Sequence, residues 1–445
     1  MQHGRTTLAI AGLACLPPLV AWAVFGVIET PDSPGYIDYA RALLAGPLPS
    51  GPALLDASPS PVTLFRMPGF PALLAALQWL WPAGWRTALV GLQVMAGGML
   101  AALAHCTALR LGLRPGAARL AALLPSLGFM VVVQVCVLTD AFYAVLTAGA
   151  ALLLLWRDVR AAALAGAMLA AAAALREATP YIALFYLPLA LTSLPRLPRA
   201  GLVLLPCCAV LLAQAAWNAG RGAGWVVTTS RQTVMVQGVM ELARKGYPVF
   251  PGDDAFDRVA RETVGGGAFL QVDLLHRRLF AEAGMRAPEM ARVASARYAD
   301  AWRTWPLQQA WQVAQRWRLA FLALPFQPAD TVGALLVYAG WPRPAFDRLD
   351  VQWTRLRSGD ATAAGWIALD LLTRLAGTAL GLAAAVLPWT RRGTPQLRAL
   401  WVVCAGFVAV HLPVHIETRY LVPVVPLATL LALACLFPRF QDAAA

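Results

Sequence analysis

Charge is scarce in this sequence: 13% of its 445 residues are Asp, Glu, Lys or Arg, while 59% are hydrophobic and the mean hydropathy is +0.61. Soluble domains carry about 25% charged residues, so a water-soluble globule is excluded and a polytopic membrane protein is indicated. Lysine is almost missing, with Lys245 the single one among 36 basic residues; no functional conclusion attaches to that bias. Cysteine is sparse and misplaced for cross-linking. Cys15, Cys106, Cys136, Cys207, Cys208, Cys404 and Cys435 all fall in apolar stretches, which suggests neither a disulfide framework nor a thiolate zinc site. The large polar segment has none, so it must fold without such staples. No repeat or low-complexity tract stands out. The first 28 residues lack a small-residue cleavage site after a short apolar core, so a retained first span is expected.

A helix needs about 20 apolar residues to cross the hydrocarbon layer. That length marks ten expected spans: 6–28, 87–109, 117–135, 139–156, 161–176, 178–194, 200–219, 363–389, 399–414 and 420–437. The net charge of +13 could signal nucleic acid, but much of the excess lies in short loops between spans, where anionic headgroups attract it. Arg5, Arg110, Arg114, Arg119, Arg157, Arg160, Arg196, Arg199, Arg391, Arg392, Arg398 and Arg439 fall on one side, which should be cytoplasmic. Both termini are then cytoplasmic. The other side receives the 29–86 loop, the turns near Asp140 and Arg176, segment 220–362 and the turn with Glu417 and Arg419.

The expected fold is therefore an all-α polytopic membrane protein of about ten transmembrane helices in three parts. Residues 1–219 hold seven spans and the first outer loop; 220–362 form an outer domain; 363–445 hold three spans. Segment 33–46 predicts an amphipathic surface helix, with Pro34 in its first turn and Gly46 at its stop. A second surface helix is expected over 69–81, with Trp79, Trp81 and Trp85 suited to the interface. Segment 220–362 carries 18 basic and 13 acidic residues and helical patterning from about 270 to 324, enough for a modest core. The apolar stretch 317–340 is not counted as a span, because Pro325, Pro328 and Asp330 interrupt it and because it would move Arg391, Arg392 and Arg398 outside.

Ionisable residues at membrane depth are costly and are functional candidates. Here Asp32, Arg66, Asp140, Arg176, Glu177, His415, Glu417 and Arg419 all come out on the outer side, at the ends of different spans, as one cavity would require. Taken singly, each is also readable as an interfacial charge. Asp32 and Asp140 suit helix N-caps, Arg66 could close its loop against Asp32, and Glu417 could simply pair with Arg419. His411 and His415 have metal-pair spacing but no evident third ligand, and Pro413 lies between them. Asp370 and Arg374 are expected to neutralise one another inside the eighth span. Arg277 and Arg278 with the Trp-rich stretch 302–317 read as an interfacial helix face rather than a nucleic-acid patch.

Asp32-Ser-Pro-Gly-Tyr36-Ile-Asp-Tyr-Ala40, Arg66-Met-Pro-Gly-Phe-Pro71, Leu138-Thr-Asp140, Leu175-Arg176-Glu177 and Glu417-Thr-Arg419-Tyr420-Leu-Val-Pro423 together resemble the GT-C superfamily of integral-membrane glycosyltransferases. The branch they look like holds bacterial relatives of protein O-mannosyltransferases and of lipid A aminoarabinose and core-sugar transferases. The resemblance implies transfer of a sugar, with inversion, from a polyprenyl-phosphate donor to a hydroxyl acceptor (lipid, polysaccharide or protein) at the periplasmic face of a bacterial inner membrane. Asp32 matches the family's first-loop Asp, which acts as base or orients the acceptor. Many members carry paired acids there, whereas this chain has Asp32-Ser33. A divalent metal is therefore not favoured, and no cofactor is expected.

The chemistry also follows from the residues. An alcohol becomes a competent nucleophile when a carboxylate in reach accepts its proton, and Asp32 is placed for that. Guanidinium groups stabilise a leaving phosphate. Arg419 is the first candidate for this; Arg66 and Arg176 are further candidates for phosphate or sugar. Tyr36, Asp140, Glu417 and Tyr420 complete the expected binding set. The competing reading is a transporter or flippase of a lipid-linked substrate, which would place charge nearer the midplane and often shows related halves. A catalytically inactive scaffold is the third reading.

Overall fold

In the computed structural model, residues 2–56, 58–265, 272–323, 328–341, 349–390, 392–413 and 417–437 are described. Candidates Arg391, His415 and Arg439, and residues 324–327 of the uncounted stretch, lie outside them. Among the described residues there is no strand, and one isolated bridge joins Ile28 to Cys136.

Among the described residues, four helices are long and apolar enough to cross a membrane: Gly4–Phe25, Trp85–Arg110, Arg196–Gly220 and Ala361–Trp389, the last including a closing 3-10 turn. Their lipid-facing surfaces carry exposed Leu8, Met99, Leu205 and Leu372, which solvent would penalise and hydrocarbon does not. Shorter apolar helices fill the space between them. Asp140–Leu154, Val159–Leu175, Pro395–His411 and Val424–Leu436 build a core of small and branched residues with Ala144, Ala148, Ala165, Leu169, Leu400 and Leu430 fully buried. Small side chains let these helices approach closely where no hydrophobic force drives them together.

The expected third span, 117–135, is not one helix. It divides into Pro115–Leu123, a 3-10 turn Leu124–Leu127 and Met130–Val135. Pro125 removes a donor and Gly128 breaks the ladder that hydropathy alone takes as continuous. Where the chain then leaves the Met130–Val135 helix, Gln93 of a neighbouring helix meets its carbonyls: Nε2 donates to Val133 O at 3.3 Å, Cys136 O at 3.1 Å and Leu138 O at 3.2 Å. The sixth, 178–194, likewise alternates α and 3-10 turns around Pro180 and Pro188.

Both surface helices form. Ser33–Ala45 begins with Pro34 in its first turn and ends at Gly46, whose φ of 127° suits glycine alone. Gly69–Leu80 lies against Val159–Leu175, and a Cβ at Gly69 would stand 2.6 Å from Ala174 O. Segment 220–362 has its own core, in which Val239, Phe256, Leu275, Leu279 and Met290 of four helices and Phe250 of a connecting stretch are buried. Asp370 and Arg374 pair at 2.7 Å, as expected. At the far end of the bundle fully buried Arg199 donates to Leu154 O, Asp158 O and Ala190 O, closing helix ends that would otherwise be orphaned.

Candidate functional site

Chain direction alternates through the bundle, so the first helix, Val159–Leu175 and Pro395–His411 end where Asp140–Leu154 and Val424–Leu436 begin. Among the described residues, Asp32, Arg66, Asp140, Arg176, Glu177, Glu417 and Arg419 meet at that end. The segment after the first helix is fastened to the broken third span: Ile28 N donates to Val135 O at 3.0 Å, Val137 N to Ile28 O at 2.9 Å, and Ser33 Oγ to Val137 O at 2.9 Å. This sets Asp32 beside Thr139 and Asp140. Ser33 is fully buried and also accepts from Thr30 N at 2.8 Å, so a carboxylate in its place would face the Val137 carbonyl.

Asp32 precedes the Ser33–Ala45 helix but makes no side-chain capping bond. Its carboxylate is spanned instead by two guanidiniums, Oδ1 accepting from Arg66 Nη2 at 2.7 Å and Oδ2 from Arg419 Nη1 at 2.5 Å. Burial alone would push the Asp32 carboxyl up, but Arg419 and Arg66 outweigh it and hold the group at about 2. Arg66 is aimed by Tyr36, whose Oη accepts from Nη1 at 3.3 Å and whose ring lies 4.6 Å beneath the guanidinium. Arg66 Nε is buried without a hydrogen-bond partner. Glu417 Oε2 lies 2.5 Å from Arg419 Nε in an ion pair.

Arg176 ends the Val159–Leu175 helix and is held separately. Its Nη2 donates to Asp140 Oδ1 at 2.6 Å and its Nε to Thr139 Oγ1 at 3.3 Å, while Tyr143 and Tyr420 flank its guanidinium at 5.0 and 5.2 Å.

These groups surround a cavity of about 440 Å³. Asp32, Tyr36, Arg66, Arg176, Arg419 and Tyr420 line it directly. Asp140 and Glu417 do not; they stand behind Arg176 and Arg419, and Asp140 keeps a buried Oδ2 without a partner. Apolar side chains share the lining, among them Phe65, Leu175, Val234, Met235 and Val410. Several lining residues escaped the sequence reading. Glu177 stood among the outer charges without a role, yet it accepts from Ser230 Oγ at 2.9 Å and from Thr228 Oγ1. The signal was the hydroxyl run Thr228-Thr-Ser230 soon after the seventh apolar stretch. His411 stacks on Tyr420 at 4.9 Å between ring centroids and lines the same cavity.

A divalent ion does not fit this donor set, because Asp32, Asp140 and Glu417 each face a guanidinium within 2.7 Å. What the arrangement offers is three guanidiniums converging on one cavity, with a carboxylate between two of them. Such a set binds phosphate oxygens in paired fashion and places an acceptor for a proton next to them. Comparison with protein-family models, curated proteins and solved structures finds no match to this chain.

Proposed function

We propose that the protein is an inverting glycosyltransferase that moves a sugar from a polyprenyl-phosphate donor to a hydroxyl acceptor. The observation that carries this reading is the Asp32 carboxylate held between Arg66 and Arg419 on the wall of a cavity of about 440 Å³ that apolar side chains also line. The donor phosphate takes over the two guanidiniums, and its prenyl chain follows the apolar lining. Relieved of its cations, Asp32 is left with burial acting on it, so its proton affinity rises at the moment the substrate is in place. The acceptor oxygen then attacks the anomeric carbon, its proton passes to Asp32, and the glycosidic electrons leave with the lipid phosphate. Arg66, Arg419 and Arg176 stabilise that leaving charge, and binding both substrates in one cavity supplies orientation.

In this reading the chain makes about ten spans with both termini cytoplasmic, and the cavity opens to the periplasm of a bacterial inner membrane. Acceptors are lipid, polysaccharide or protein hydroxyls of the envelope. The direct test offers radiolabelled polyprenyl-phosphate sugars and membrane extract to purified protein in lipid, wild type beside Asp32→Asn. Label should move to the acceptor with wild type alone. Movement of intact lipid-linked sugar across the bilayer, with no transfer by either protein, would establish a transporter instead.

A further inference from the structure

Asp32 shares the cavity lining with a second carboxylate. Glu177, next in sequence to Arg176, lines the same space, and so does Ser230, the first residue of the Ser230–Arg244 helix. The two side chains belong to one array of hydroxyls on a carboxylate. Ser230 Oγ donates to Glu177 Oε1 at 2.9 Å, Thr228 Oγ1 donates to Oε2, and the two hydroxyl oxygens stand 3.1 Å apart. Thr228 is buried, and Thr229 N donates to Leu64 O at 2.9 Å, which fastens the array to the loop that leads to Arg66. Where Asp32 accepts from guanidiniums, Glu177 accepts from neutral alcohols. Neither the phosphate clamp nor the proton transfer uses this array, and Asp140, the carboxylate beside Arg176, does not reach the lining.

We propose that Glu177 and Ser230 form the subsite that reads hydroxyl groups of the donor sugar, and that the donor class is a neutral, polyhydroxylated hexose rather than a uronic acid. The inference rests on the assignment of the cavity to a polyprenyl-phosphate sugar and deepens it. With the phosphate on Arg66 and Arg419, the anomeric end of the ring is fixed, and its other hydroxyls need partners in the same cavity, because a buried hydroxyl without one is costly. A sugar hydroxyl is chemically the group that Glu177 already accepts. It can take the place of Ser230 on Oε1 with no change of charge or bond type, and the displaced serine hydroxyl keeps lone pairs with which to accept from a neighbouring ring hydroxyl. Hydrogen bonds to an ionised acceptor are stronger than those between neutral groups, so the carboxylate separates a ring that presents a hydroxyl to it from one that does not. A uronate would instead bring like charge against Glu177.

Calorimetric titration of the full-length protein in phospholipid nanodiscs, with decaprenyl phosphate and with its mannosyl, glucosyl, galactosyl and glucuronyl monoesters, separates the two parts of the site. At least one neutral hexosyl lipid should bind wild type about 10- to 100-fold more tightly than bare decaprenyl phosphate, and the glucuronyl lipid should gain nothing. Glu177→Gln should erase the hexosyl gain while still binding the bare lipid as wild type does, and Glu177→Asp, charged but shorter, should recover part of it. A deoxy analogue of the preferred hexosyl lipid, lacking the hydroxyl that Glu177 reads, should bind wild type as weakly as the intact lipid binds Glu177→Gln, and combining the two deletions should cost no more than either. A hexosyl gain that persists in Glu177→Gln overturns the proposal, as does a gain for the glucuronyl lipid or the absence of any hexosyl gain in wild type. Equal losses for bare and hexosyl lipid in Glu177→Gln would make the residue a structural support and likewise overturn it. Failure of wild type to bind bare decaprenyl phosphate would instead refute the phosphate assignment, and the subsite with it.

Discussion

Replacing Asp32 by Asn should separate binding from chemistry in an unusual direction. In the free protein the carboxylate competes with any phosphate for Arg66 and Arg419. A carboxyl held at about 2 instead of its ordinary 3.8 reflects roughly 2 kcal/mol in favour of the ionised, arginine-bound form. With 31% of the Asp32 side chain open to water, screening leaves about 1–2 kcal/mol of that. Removing the charge removes the competition, so Asp32→Asn should bind polyprenyl phosphate about 5–30 times more tightly than wild type. Transfer should fall by about 100- to 10,000-fold, the usual contribution of a positioned base. Titration of polyprenyl phosphate into both proteins in nanodiscs, followed calorimetrically, measures the first effect, and the radiolabel assay the second. Affinity that is unchanged or weaker in Asp32→Asn refutes the idea that phosphate and carboxylate share the two guanidiniums. Wild-type turnover refutes the base.

Acid should erase the free-state advantage of the carboxylate. Its folded value lies below the unfolded one, so the clamp contributes fully above about pH 4 and fades as pH falls toward 2; the melting-temperature gap between wild type and Asp32→Asn should close over that range, and a constant gap would argue against an ionised Asp32. Asp140→Asn leaves the guanidinium of Arg176 without its charge partner beside a side chain only 1% exposed, and should lower stability by about 3 kcal/mol in thermal unfolding. Adding Arg176→Gln should recover most of that loss but not transfer, so recovery of both would remove Arg176 from the site. Gly69→Ala drives a methyl group toward Ala174 O and should cost about 1–3 kcal/mol while slowing transfer, because it shifts the loop of Arg66 against the helix that ends at Arg176. Unaltered melting and turnover would show that this approach is loose.

The convergence of Asp32, Arg66, Arg176 and Arg419 was legible because charge at the ends of apolar stretches has few physical reasons to be there. The pairing was not. Sequence offered Arg66 to Asp32 and Glu417 to Arg419, but it gave no sign that one carboxylate bridges Arg66 and Arg419 across 387 positions of chain. It also could not separate lining groups from supporting ones, since Asp140 and Glu417 look like Asp32 in sequence and act only through the arginines they hold. The interruption of 117–135 was missed for a different reason. Hydropathy scores side chains, whereas the break comes from the backbone of Pro125 and Gly128; nor does it show that Gln93, some 40 residues earlier, meets the carbonyls at the end of the segment. His411 was weighed as a metal ligand by its spacing to His415, which lies outside the described residues; its stacking on Tyr420 in the cavity wall had no signal in that spacing.

Non-helical backbone at membrane depth is tolerated where protein buries it or where it lines a polar cavity. The breaks in this chain obey that rule and explain the position of the site. Residues 136–139, 176–178 and 412–413 all leave helical geometry at the same end; 176–178 carry Arg176 and Glu177 of the cavity lining, and 136–139 lead to Asp140, which holds Arg176 from behind. Their carbonyls are met by groups fixed elsewhere in the chain. Gln93 holds Cys136 and Leu138, and Thr179 Oγ1 donates to Arg176 O at 2.8 Å. Arg316, from the outer segment, donates to Leu412 O at 3.1 Å and Pro413 O at 3.0 Å while pairing with Glu241 at 2.5 Å. The outer segment is thus tied to the stretch that leads to Arg419 by a buried, charge-assisted contact. Withdrawing Arg316 would remove this donor from Leu412 O, whereas Tyr298 Oη, from the same segment, would still donate to Pro413 O at 2.9 Å.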